Sequence, residues 1–166
     1  MDTATLVLAL VTAQRLGELV LSRHNTRLLL ACGASEVAPG HYPLMVMLHA
    51  AWLAGLWWHA VAAPAELAVN PWLIAAYALL QPLRLWVIGT LGSRWTTRII
   101  HLPGAPLVER GPYRLMRHPN YAVVVGEIAL LPLAFGLPWY AAAFSILNAV
   151  VLAVRTRAED GALRPN

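Results

Sequence analysis

Between two long apolar runs the chain carries "GSRWTTRIIHLPGAPLVERGPYRLMRHPNY", which holds Arg94, Arg98, Arg110, Arg114 and Arg117, His101 and His118, and prolines at 103, 106, 112 and 119. A loop that only anchors to anionic lipid needs charge and nothing else. The added proline, glycine, tyrosine and histidine point instead to a shaped ligand site, with lipid anchoring as the simpler alternative. Each proline fixes φ and biases the residue before it toward extended shapes, so the segment reads as stiff and largely non-helical. Irregular backbone near membrane depth is tolerated where protein buries it or where it lines a water-filled cavity.

The C-terminal stretch "VRTRAEDGAL" places Arg155 and Glu159 four apart, on one face of a continuing helix. Arginine suits the last turn of a helix, but the dipole disfavours Glu159 and Asp160 there. A ligand with hydroxyls or positive charge would give those acids a reason. Arg15, Glu18, Arg84 and Glu127 fall in or near apolar runs. Each costs about 2.5–3.5 kcal/mol at a bilayer centre, so they either pair to fix helix register or line a polar pocket. Arg15 and Glu18, three apart, can pair on one face. The histidines at 24, 41, 49, 59, 101 and 118 show no metal-ligand spacing, and Cys32 is alone, so no metal site or disulfide is expected. Neither a phosphate-binding glycine loop nor a nucleophile elbow is present.

Those residues need elements to hold them. The 166-residue chain is 59% hydrophobic and 12% charged, where soluble domains carry about 25% charged residues, which places it in the membrane class. All 12 basic residues are arginine, and no basic run suits nucleic acid. The N-terminus opens with an acid and lacks a basic leader, so a cleaved signal peptide is not expected. Apolar runs fall at roughly Thr3–Leu21, Pro43–Ala63, Pro71–Leu91, Asn120–Leu137 and Trp139–Val154, with "SRHNTRLLLACGASEVAPGHYP" as a polar loop. The short "GLP" connection predicts a tight hairpin of the last two helices. Arginine sits in the 23/27 loop, the 94–117 connector and the tail, and is missing from "APAELAVN" and "GLP". The positive-inside rule then predicts an all-α integral membrane protein of about five transmembrane helices, N-terminus outside and C-terminus cytosolic.

"GPYRLMRHPNY", a hydrophobic hairpin and then "RTRAED" together resemble the isoprenylcysteine carboxyl methyltransferase family of integral membrane enzymes. The resemblance spans about Arg94–Leu163, and it implies S-adenosylmethionine as cofactor. By position it implies cofactor contacts at Arg98, Ala105, Pro106, Leu107, Val108, Tyr113, Arg117, the run His118, Pro119, Asn120, Tyr121, and Glu159. Arg155 matches the family's arginine at the substrate end, and His118 or Glu127 are candidate proton acceptors. Asp160 stands where a second glutamate is usual, and "HLPGAPLV" differs from the prenylcysteine enzymes. The N-terminal "AQRLGELVLSRHN" and "GHYPLMVMLHAAW" look like a bacterial subgroup linked to type III polyketide synthases, whose members methylate alkylpyrone or alkylresorcinol hydroxyls.

The resulting expectation is an S-adenosylmethionine-dependent O-methyltransferase acting on a lipophilic acceptor, a polyketide hydroxyl above all. Alternatives are a carboxyl methyltransferase of a prenylated or other lipidic acid, an NADPH-dependent membrane reductase, and a scaffold that has lost activity. Residues 1–91 would form a three-span region, and 92–166 the cofactor-binding connector, hairpin and tail of one integrated membrane domain. The expected location is the cell membrane, with the cofactor site facing the cytoplasm. Expected partners are the acceptor, membrane lipid and a polyketide synthase neighbour, with no nucleic acid.

Overall fold

Asp2 starts the first helix by accepting a hydrogen bond from the Thr5 amide at 2.7 Å, which satisfies one of the free donors of the opening turn. The computed structural model describes residues 2–64 and 67–163, with the side chains at 41 and 160–163 outside the description. Asp160 and Arg164 therefore lie outside the described side chains. The described helices are α1 (Thr3–Ala31), α2 (Tyr42–Ala62), α3 (Pro71–Leu91), α4 (Pro119–Ala134) and α5 (Pro138–Leu163). A two-residue antiparallel ladder joins β1 (Ser35–Glu36) to β2 (Ile100–His101), with Ser35 opposite His101 and Glu36 opposite Ile100.

Four helical stretches, Thr3–Ala31, Tyr42–Ala62, Pro71–Arg94 and Pro138–Glu159, are long and apolar enough to cross a membrane; α4 is a shorter apolar helix. The chain is a mostly helical membrane protein. Its outer faces agree with that environment: Trp139, Trp72 and Leu79 are 86%, 83% and 75% exposed, which a lipid surface would cover.

Two features depart from the sequence reading. The "SRHNTRLLLA" stretch, read as loop, continues α1 to Ala31. Its polar residues Ser22, Asn25 and Thr26 are buried, and Ser22 and Asn25 meet the connector between α3 and α4 and not water. The second is the two-residue β1–β2 ladder, which the sequence reading did not include; it ties the α1–α2 loop to that connector within a chain that stays of the all-α class.

The core gathers Leu8 and Val11 of α1, Trp52 and Leu56 of α2, Tyr77 of α3, and Ile128 and Leu131 of α4. Gly126 lets α3 and α4 approach, since a Cβ there would fall 2.8 Å from Leu80 Cδ1. Across the same helices runs a closed ionic network. Arg84 donates from Nε and Nη2 to the two oxygens of Glu18, each at 2.5 Å, and from Nη1 to Glu127 at 2.9 Å. Arg15 donates to Glu18 at 3.1 Å and to Glu127 at 2.8 Å. Gln14 and Gln81 complete it, bonding each other at 2.9 Å and reaching Glu18 and Glu127 respectively at 3.1 Å. Two guanidiniums face two carboxylates, so the cluster is neutral and its charges are paired, as low-dielectric surroundings require.

Candidate functional site

The connector is shaped by what it leans on. Asn25 of α1 donates to the carbonyls of Gly92 at 3.1 Å and Trp95 at 2.8 Å, which pins the chain as it leaves α3. The Thr97 amide donates to Ser22 Oγ at 2.9 Å, and the Val37 amide to the Ile99 carbonyl at 2.9 Å. Arg98 then pairs with Glu36 at 2.6 Å and lies 4.5 Å over the Tyr42 ring. That neighbouring carboxylate raises the Arg98 pKa above its ordinary value. Further on, Arg94 donates to the Pro106 carbonyl at 2.8 Å and folds the proline-rich stretch back over α3. Gly111, at φ +59, begins a short 3-10 turn; a Cβ there would come 2.5 Å from Thr90 Oγ1. The positive φ and the close approach both select glycine.

Beneath this cover lies a cleft of about 460 Å³, within the roughly 300–1,000 Å³ usual for small-molecule sites. The start of α4 and the end of α5 supply its polar wall. The Tyr121 hydroxyl donates to Glu159 Oε1 in a very short bond. Arg155 Nε donates to the Tyr121 oxygen at 2.7 Å and to Glu159 Oε1 at 3.1 Å. Its Nη1 donates to the Thr97 carbonyl at 2.7 Å and meets the Met45 sulfur at 2.9 Å. One arginine thus fastens α5 to α2, α4 and the connector. His118 stacks on Tyr121, with centroids 4.9 Å apart and planes 7° from parallel, and its Nδ1 lies 3.5 Å from Glu159 Oε2. Glu159 therefore commits one oxygen to Tyr121 and Arg155 and turns the other toward His118. Tyr113, on the 3-10 turn, also lines the cleft. Burial, reinforced by the Glu159 charge, pushes its phenol up to about 12, so it remains a neutral hydroxyl at physiological pH.

Of the residues singled out from the sequence, Leu107, Val108, Tyr113, Arg117, His118, Asn120, Tyr121, Arg155 and Glu159 line this one cleft. Arg98 is not among its lining; it is held by Glu36 and Tyr42. Pro106 contributes its carbonyl to Arg94, and Pro119 is buried as the first residue of α4, where its missing N–H costs nothing. Glu127, one candidate proton acceptor, is held instead by Arg15, Arg84 and Gln81 in the ionic network. Arg94, Trp95, Thr96 and Glu109 line the cleft without having been singled out. The aromatic Trp95 inside a basic stretch was the one available signal. The Asn120 Oδ1 is buried with no hydrogen-bond partner. A buried acceptor left open in a cleft wall suits a ligand carrying N–H or O–H donors.

The comparisons with known proteins converge on this half of the molecule and then extend past it. The family model described as isoprenylcysteine carboxyl methyltransferase matches residues 72–165, from the first turn of α3 to the tail. A protein of Bacillus subtilis (strain 168), described as uncharacterized protein YpbQ, is 40% identical over 164 residues, covering 96% of this chain and 95% of its own length. No solved structure gives a significant match.

Proposed function

The chain belongs to the isoprenylcysteine carboxyl methyltransferase family, and on that premise we propose that it is an S-adenosylmethionine-dependent O-methyltransferase for the hydroxyl of a lipophilic acceptor. The observation that carries this reading is the Arg155–Tyr121–Glu159–His118 cluster on the wall of the covered cleft. The cofactor fits the residues present. Glu159 Oε2 would accept from the ribose, and the open Asn120 Oδ1 would accept from an amino group. Arg117 or Arg94 would meet the carboxylate. The stacked His118 and Tyr121 rings offer aromatic faces to a sulfonium. When bound, the cofactor supplies an electrophilic methyl group that an acceptor oxygen displaces from sulfur.

The protein's own share is alignment and exclusion of water. Arg155 holds Tyr121, Glu159 and the Thr97 carbonyl in one frame, so the cofactor wall and the connector move together. His118, on the cleft wall with Glu159 3.5 Å away, would take a proton from the acceptor. The pairing of Arg155 with Glu159 also bears on the acceptor. A carboxylate would meet a guanidinium whose charge is already matched, whereas an enol or phenol needs only orientation. That favours hydroxyl methylation over ester formation. The N-terminal likeness to the polyketide-linked subgroup favours an alkylpyrone or alkylresorcinol, with the producing synthase as a neighbour. In this reading α4 is a short, tilted fifth crossing, and the cleft opens to the cytoplasm of the cell membrane, where the arginines gather.

Purified protein would be given labelled S-adenosylmethionine with a 5-alkylresorcinol, an alkylpyrone and a prenylated cysteine acid. Methyl ethers of the first two are expected; methyl ester alone would move the assignment to the carboxyl reaction. Titration with S-adenosylhomocysteine and NADPH separates the other class, since binding of NADPH alone ends the methyltransferase reading.

A further inference from the structure

Away from the cleft, a second cavity of about 30 Å³ lies inside the bundle between α1, α2, α3 and α4. Trp52 and Tyr77 line it and are only 4% and 5% exposed, yet the Trp52 indole N–H makes no hydrogen bond and the Tyr77 hydroxyl, with Arg15 beside its oxygen, has no acceptor for its proton. Each unsatisfied buried donor costs about 1–3 kcal/mol, so two of them on residues that line one cavity need an explanation. A third wall group is His49, whose Nδ1 lies 2.8 Å from the Met45 carbonyl. Nδ1 must carry the proton to make that bond, which leaves Nε2 as an acceptor.

These groups define a ligand. Its oxygen must offer lone pairs to Trp52 and Tyr77 and a proton to His49. It must also be neutral. Arg15 and Glu127 line the cavity, but each is already paired within the closed ionic network. An anion would find no unmatched cation there, and a cation no unmatched carboxylate. The volume suits one or two oxygen-sized groups, as a water needs roughly 10–15 Å³.

The place is telling as well. Met45 touches Arg155 through its sulfur and His49 through its carbonyl. His49 is one turn, or about 6 Å, further along α2. Val124, which lines the cavity, follows Tyr121 by three residues on α4. The cavity therefore starts one turn deeper than the Tyr121–Arg155 pair.

We propose that this chamber is a binding site for a neutral hydroxyl oxygen, supplied by an ordered water or by a second hydroxyl of the acceptor. The acceptor source rests on the proposed hydroxyl methylation; the water source does not. Tyr77→Phe removes one oxygen from the full-length protein, and Trp52→Phe is a second variant that removes the other donor. If the chamber is filled, each lowers the thermal midpoint in lipid nanodiscs, by about 2–4 °C per lost bond. An unchanged or raised midpoint in both variants means that the donors face an empty space, which overturns the proposal. A 5-alkylresorcinol and the 3-alkylphenol of equal chain length then separate the sources. If the acceptor fills the site, the wild type prefers the resorcinol about tenfold in KM and Tyr77→Phe abolishes that preference. If water fills it, the KM ratio is the same in both proteins while the midpoint still falls. The thermal arm needs no turnover, so failure of the methyl-transfer reading leaves it intact.

Discussion

The molecule uses arginine and glutamate twice, for opposite ends. In the bundle, Arg15, Glu18, Arg84 and Glu127 form a closed ring of bonds in which every carboxylate oxygen is taken. At the cleft, Arg155 and Glu159 pair along one helix, and Glu159 keeps one oxygen facing His118 at 3.5 Å. Exposure separates them too. The Arg84 and Glu127 side chains are 7% and 5% exposed, whereas Glu159 and His118 are 18% and 28%. Identical residue types thus serve as a fastener where valences are saturated and, in the proposed function, as a receptor where one carboxylate oxygen has only a histidine 3.5 Å away.

The comparison can be broken most directly at Arg84. Arg84→Met leaves Glu18 and Glu127 short of a partner, and removing one member of a buried pair costs about 3–5 kcal/mol. Thermal unfolding in nanodiscs should show that loss, while the fraction that folds keeps its affinity for S-adenosylhomocysteine. A loss of affinity in folded material would mean that the ring also shapes the receptor. Glu159→Gln should do the reverse. Hydrogen bonds to charged groups contribute about 1.5–3 kcal/mol, so calorimetric affinity should drop roughly 10–100-fold. The thermal midpoint should fall less than in Arg84→Met, since the amide oxygen still accepts from Tyr121 and Arg155. The smallest effect is expected at Arg98, 40% exposed in its pair with Glu36. Arg98→Met should change cofactor affinity less than about threefold, as for other surface pairs. A larger drop would return Arg98 to the cofactor contacts that the family resemblance implied.

The sequence shows α3 to the residue, because Asn70 caps the helix and Pro71 opens it within the same few positions. The extension of α1 could not be seen, because Ser22 and Asn25 are polar for the sake of a connector about 70 residues away, not for solvent. The same holds for the charges. Arg15 with Glu18 and Arg155 with Glu159 lie within one helical turn and were legible as pairs. Glu127 meets Arg15 across 112 positions, so its place in the ring was not readable from spacing, and it looked available for proton transfer. Most residues that the family resemblance pointed to fall on one cleft, because the motif that carries the resemblance is local in sequence, whereas the register of β1 on β2 depends on two loops meeting in space.

At the end of the bundle away from the cleft, the Ala68 and Asn70 amides donate to the Phe135 and Ala134 carbonyls at 3.1 and 2.8 Å. Main-chain stitching of this kind asks little of the side chains nearby beyond Gly136, at φ +76, where a Cβ would come 3.3 Å from the Ala68 nitrogen. The molecule is built like tongs, riveted through the main chain at one end and, in the proposed function, gripping with side chains at the other. A change of acceptor would then fall at the jaws and leave the rivet in place.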